Sequence, residues 1–138
     1  FMLGARVQGL AWSMGESGPV LAIGEGMATM AAVHAATGLP VVAAMTSANL
    51  AFTGRCHRAV APDATLIFCA DMDSHRPDNP GLAAANAAAG ACGGLVARPS
   101  RPPGWPDNKG WDFADTWPAP YWAALIRAAL SFENGDAA

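Results

Sequence analysis

The chain is poor in charge. Charged residues make up 14% of its 138 positions, and Lys109 is its single lysine. Eight basic residues face 11 acids, for a net charge of −3. That balance excludes a basic nucleic-acid clamp or a polybasic membrane binder. Cysteine is scarce: Cys56, Cys69 and Cys92 are widely spaced and form no C-x-x-C, which argues against a structural zinc site. Cys69 and Cys92 sit in apolar runs and read as buried free thiols, which suits a reducing cytoplasm. No apolar run approaches 18 residues, so no membrane span is expected. No basic stretch followed by an apolar one stands at the start, so no signal peptide is expected. A chain opening on Phe1 rather than Met reads as a piece of a longer one.

What is present is apolar and turn-rich. Hydrophobic residues reach 52%, too many for dominant disorder and enough for the core of one domain. Gly 15 and Pro 11 call for many turns. Val20-Leu21-Ala22-Ile23, closed by Gly24-Glu25-Gly26, is continuously apolar, as a parallel strand buried on both faces should be. A helix follows over Met27 to Thr37, with an expected buried stripe of Met27, Met30, Ala31 and His34 and a stop at Gly38. Leu39 to Ala44 reads as a second strand and Ala64 to Ala70 as a third. An Ala-rich helix over 81–92 and a fourth strand over Leu95 to Arg98 follow. Thr46 to Pro62 reads as a loop with room for one short helix. Gly9-Leu10-Ala11-Trp12 reads as a piece of an N-terminal strand or hairpin, and Pro120 to Phe132 as a closing amphipathic helix. The alternation of strand and helix predicts an α/β fold with right-handed crossovers.

Two of these strands end in acid. Glu25 follows the first, and Asp71 and Asp73 follow the third. In an open parallel sheet, chemistry collects at the carboxyl ends of strands. If the first and third strands are neighbours, these carboxylates converge, and the four parallel strands take the order 2-1-3-4. Convergent carboxylates resist joint ionisation unless a cation joins them. Oxygen-only ligands suit Mg²⁺, with Mn²⁺ as a substitute. Asp112 and Asp115 extend the acidic set downstream; the competing reading of all five is solvated surface acids. Gly26 lets a phosphate approach the backbone at a helix start. Ser47 follows the second strand, Arg76 lies in the loop after the acid pair, and Lys109 precedes Asp112; these are the candidate phosphate contacts, along with Arg55, Arg58, Arg98 and Arg101. Trp105, Trp111, Trp117 and Trp122 either stack bases or, more commonly, clamp an irregular tail. A dinucleotide site is rejected, because Thr29 stands where a third glycine belongs and no acid closes the second strand.

The run Val20-Leu21-Ala22-Ile23-Gly24-Glu25-Gly26, the segment Thr37 to Ala44, Ile67-Phe68-Cys69-Ala70-Asp71-Met72-Asp73, Gly81 with Ala83-Ala84, Gly94 to Pro99 and Asp112-Phe113-Ala114-Asp115 together resemble the Toprim domain, in its plasmid and phage primase or primase–helicase form. The resemblance covers about residues 18–117, leaving 1–17 as an N-terminal extension and 118–138 as a C-terminal helix and tail. It implies a three-layer α/β/α fold. It implies Glu25 as general acid/base, Asp71 and Asp73 as Mg²⁺ ligands with Glu25, and Asp112 and Asp115 as further acids of the metal site. It also implies nucleotidyl transfer for RNA primer synthesis. The partners would be a single-stranded DNA template, nucleoside triphosphates and flanking zinc-binding, polymerase or helicase domains. Thr29 departs from many primases, which carry Asp there, and costs the site one possible ligand for a second metal. A Toprim nuclease, or a degenerate module that binds nucleic acid or a helicase without catalysis, uses the same framework. A topoisomerase is disfavoured, since Tyr121, the only tyrosine, lies at an expected helix start.

Overall fold

The apolar run after Pro19 offers water no polar face, and it becomes the inner strand of a mixed sheet. The computed structural model describes residues 7–116. Strand β1 spans Trp12–Met14, β2 Val20–Gly24, β3 Val41–Ala43, β4 Thr65–Cys69 and β5 Leu95–Ala97. Helix α1 spans Met27–Thr37, α2 Leu50–Val60 and α3 Pro80–Cys92, and a 3₁₀ turn over Ser47–Asn49 leads into α2. The sheet order is β1-β3-β2-β4-β5. β2 pairs in parallel with both β3 and β4, and β4 with β5, so the parallel strands stand in the order expected of the sequence. β1 adds an antiparallel edge on β3, with Trp12 opposite Ala43.

Each face of the sheet has its own core. On one, Met30 and Val33 of α1 pack with Ala22, Val41, Ala43, Ile67 and Cys69, and Phe113 from beyond β5 joins them. On the other, Ile23, Val42, Leu66 and Phe68 meet Leu50 of α2 and Ala85, Ala88, Ala89 and Cys92 of α3. The three layers are therefore α/β/α. Among the described residues no helix is long and apolar enough to cross a membrane. Cys69 and Cys92 are buried free thiols, as the apolar runs around them suggest, and Cys56 is exposed.

Several local readings are corrected. The buried residues of α1 are Thr29, Met30 and Val33, whereas Met27 is 46% exposed and His34 sits at the margin, its Nδ1 bonded to Leu39 O at 2.7 Å. The stripe is displaced because α1 meets the sheet and Phe113 together. The N-terminal strand begins at Trp12, because Gly9 sits in a turn at φ +79°. The segment expected as a loop with room for one short helix holds helix α2, 11 residues long. Its sequence hides the helix because its buried face holds one large apolar side chain, Leu50, beside Thr53 and Gly54. Gly54 is required there: a Cβ would stand 2.7 Å from both Cys92 Sγ and Phe68 Cζ. Arg58, near the end of α2, donates to the carbonyls of Cys92, Pro62, Ala64 and Gly93 and so ties the ends of α2 and α3 together rather than facing a phosphate. The helix expected over 120–132, with Trp117 and Trp122, lies outside the described residues.

Gly54→Ala should lower stability by roughly 1–3 kcal/mol through overpacking of the α2–α3 seam. Urea denaturation followed by circular dichroism measures it; an unchanged midpoint would contradict the packing described.

Candidate metal centre

The carboxyl ends of β2 and β4 lie side by side, since Ile23 pairs with Phe68. Each strand runs straight into its acid: Glu25 one residue past β2, Asp71 two residues past β4. The downstream segment is drawn to the same edge by a two-residue antiparallel bridge. Met72 N donates to Trp111 O at 2.8 Å and Trp111 N to Met72 O at 3.0 Å. Asp71, Asp73, Asp112 and Asp115 thereby line one part of a cleft with Gly110 and Trp111. Glu25, Gly26, Met27, Ala28, Thr29 and Met45 line an adjoining part, where Asp71 and Asp112 appear again. The five acids singled out from the sequence are thus brought to one edge by three separate stretches of chain.

Two close approaches make this possible. Gly81, in the first turn of α3, donates its N–H to Asp73 Oδ2 at 3.1 Å, and a Cβ there would stand 2.5 Å from Asp71 O. Gly110 lies equally tight, a Cβ being 2.8 Å from Met72 O and 3.0 Å from Asp73 Oδ1. Asn79 Oδ1 accepts the N–H of Asp73 at 2.8 Å, from a left-handed backbone at φ +38°. The loop after Asp73 is therefore folded back on the acid pair.

The electrostatics follow from this crowding. Asp71 Oδ1 is buried and meets no hydrogen-bond partner. Its carboxyl is pushed up to about 7, chiefly by burial, then by the charges of Asp112, Glu25, Asp73 and Asp115. Glu25 is likewise raised by burial, against the Ser47 backbone N–H that lowers it, with the Asp73 charge adding a further rise. The Asp112 carboxylate accepts three hydrogen bonds: Oδ2 from Thr29 Oγ1 at 2.8 Å and Oδ1 from the N–H groups of Ala114 and Asp115 at 2.7 and 3.2 Å. Among the described residues no group of three or more histidine, cysteine or acidic side chains stands arranged to hold a metal ion. The acids share an edge and a cleft without having closed on a common point. An orphaned buried oxygen and an all-oxygen donor set nevertheless fit a hard divalent cation.

The candidate phosphate contacts divide. Ser47 acts through its backbone N–H on Glu25, and Gly26 lines the cleft at the start of α1. Arg76 is exposed in the loop past Asp73, with its N–H donating to Asp73 O. Lys109 lies 4.1 Å over the Trp105 ring. Arg101 pairs with Asp107 and lies over Trp111. The indole N–H groups of Trp105 and Trp111 donate to Gly110 O and Pro99 O, so these two tryptophans clamp the irregular segment. Asn49 is internal, its Nδ2 donating to Val7 O and Ala44 O. What sequence reasoning missed is Thr29, read as a lost ligand and found bonded to Asp112; no spacing rule signals a pairing 83 residues apart.

These layers and this cleft define an α/β domain with an acidic cluster on the carboxyl edge of a parallel sheet. The Toprim domain model matches residues 20–119, from β2 through all five acids, and the chain belongs to the Toprim family. It is similar to two Escherichia coli proteins described as DNA primase TraC. One is 41% identical over 85 residues, which is 59% of this chain and 6% of that protein; the other is 39% identical over 90 residues, 62% and 8% respectively. The chain thus spans less than a tenth of the length of these relatives. No solved structure gives a significant match.

Asp71 binds a proton in the folded chain over a pH range in which the unfolded chain has released it, from 3.8 up to about 7. Stability of the cation-free protein should therefore fall as pH rises through that window and stay lowered above it. Asp71→Asn removes the liability: it should melt above wild type at pH 8 and level with it near pH 4. Parallel melting curves across pH would contradict the burial of this charge.

Proposed function

We propose that this chain is the metal-dependent catalytic domain of a DNA primase-like protein, carrying out nucleotidyl transfer for RNA primer synthesis in plasmid or phage replication. The observation that carries the reading is the meeting of Asp71, Asp73, Glu25, Asp112 and Asp115 on one sheet edge around an unpartnered buried Asp71 Oδ1. Membership of the Toprim family and the primase description of the two relatives support it.

In this reading Asp71 and Asp73 hold Mg²⁺, which Mn²⁺ can replace, with Glu25, Asp112 and Asp115 completing the acidic surround. A cation held there supplies charge neutralisation for a phosphate under attack. Glu25, whose proton affinity is raised by burial, takes the proton from the 3′-hydroxyl of the growing primer as that oxygen bonds to the α-phosphate of the nucleoside triphosphate, and the bond from the α- to the β-phosphate breaks to release pyrophosphate. The Ser47 N–H fixes the Glu25 carboxylate for that task. The backbone at Gly26, together with Arg76 and Lys109, contacts the triphosphate. A single-stranded DNA template runs past the cleft. With a net charge of −3 this chain grips nucleic acid weakly by itself, so template holding falls to flanking zinc-binding, polymerase or helicase domains.

The double variant Asp71→Asn/Asp73→Asn tests the reading at two levels. Titrated with Mn²⁺, the isolated chain should lose its affinity. Introduced into the full-length protein, the pair should reduce primer synthesis at least a hundredfold, on the order of the loss seen when a catalytic electrostatic contact is removed. Primer synthesis at the wild-type rate would refute the assignment. Metal binding that persists unchanged would refute the ligand roles.

A further inference from the structure

Thr29 is 3% exposed, and a hydroxyl that buried needs a partner. A threonine inside a helix commonly turns its hydroxyl back onto its own helix, as Thr37 does by donating to Val33 O. Thr29 instead donates across the cleft to Asp112 Oδ2 at 2.8 Å. The other Asp112 oxygen is held from the opposite side by Ala114 N and Asp115 N, while Asp115 Oδ2 accepts the N–H of Asp112 at 3.1 Å. Directly after Asp112, Phe113 is 1% exposed and packs with Met30 and Val33 of the same helix. The Asp112 carboxylate is therefore fixed by three donors and an anchored neighbour.

Its position gives this fixation a consequence. Asp112 and Asp71 are shared by both parts of the cleft, the acidic part that includes Asp73 and Asp115 and the part that includes Glu25 and the start of α1. A carboxylate that could swing would alter both. We propose that Thr29 is a positioning residue: its hydroxyl fixes Asp112 at the boundary between the two parts of the cleft and so preforms the acidic wall that faces Asp71. The inference rests on the cation reading above and deepens it. In this arrangement Thr29 orients the site instead of ligating in it. Carboxylates that surround a metal are themselves held by hydrogen bonds, and removing such a support weakens metal binding.

The test uses Mn²⁺ alone, titrated into the chain and followed by electron paramagnetic resonance of the free ion. Thr29→Val keeps the shape and removes the donor; Thr29→Ser keeps the donor. Thr29→Val should weaken Mn²⁺ binding about tenfold, within the range for loss of an outer-sphere support. Thr29→Ser should bind close to wild type. In the cation-free protein, hydrogen exchange at the Ala114 and Asp115 amides should quicken in Thr29→Val and not in Thr29→Ser. Wild-type affinity in Thr29→Val overturns the proposal, and so does an equal loss in Thr29→Ser, which would assign the effect to packing. The Asp71→Asn/Asp73→Asn chain separates the two readings. If it loses Mn²⁺ while Thr29→Val does not, only the role of Thr29 fails. If it binds Mn²⁺ like wild type, the cation reading fails and takes this inference with it.

Discussion

Asp71 carries a partly buried carboxyl group whose Oδ1 is sealed from water and meets no donor. Four other acids bear on it, and each raises the cost of ionising it further. Among the described residues no basic side chain lowers it: Arg76 is exposed in the loop past Asp73, Arg101 pairs with Asp107, and Lys109 lies over Trp105. A fold does not assemble such a cluster for stability, because an unpaired buried charge is among the costliest features a domain can keep. The cluster instead sets what the rest must supply, which is rigid backbone close enough to crowd the acids and strong enough to withstand their repulsion.

The backbone supplies that rigidity in three ways. The parallel pairing of β2 with β4 sets Glu25 and Asp71 at neighbouring strand ends. The glycines at 81 and 110 let α3 and the 110–112 segment press against the Asp71–Asp73 stretch closer than any side chain would permit. The bridge between Met72 and Trp111 then locks the downstream acids in register, with both indoles bonded to the segment they stiffen. Membership of the Toprim family agrees with this arrangement, and the proposed cation gives the crowding a use.

Much of the framework was legible in the sequence because its strands are buried on both faces. Val20 to Ile23 and Ala64 to Ala70 are too apolar to be anything exposed, and helix α1 occupies the expected span Met27–Thr37. The acids stood out because they follow such strands directly. Helix α2 was illegible for a physical reason: it approaches α3 so closely that its buried face needs Gly54, a residue that argues against a helix in isolation. The face of α1 was misjudged because periodicity alone could not reveal that Phe113, 80 or more residues away, packs on it. The Thr29–Asp112 bond is of the same kind, a long-range pairing with no local trace.

Crowding of carboxylates at the strand ends is the physical ground for the cation proposed at Asp71. Carbon-13 NMR of the aspartate carboxyl groups, recorded against pH with and without Mg²⁺, tests it most directly. The account requires one aspartate, removed by Asp71→Asn, to titrate near 7 in the cation-free protein and to titrate well below that once Mg²⁺ is added. An Asp71 resonance that titrates in the ordinary carboxylate range and ignores Mg²⁺ would contradict it.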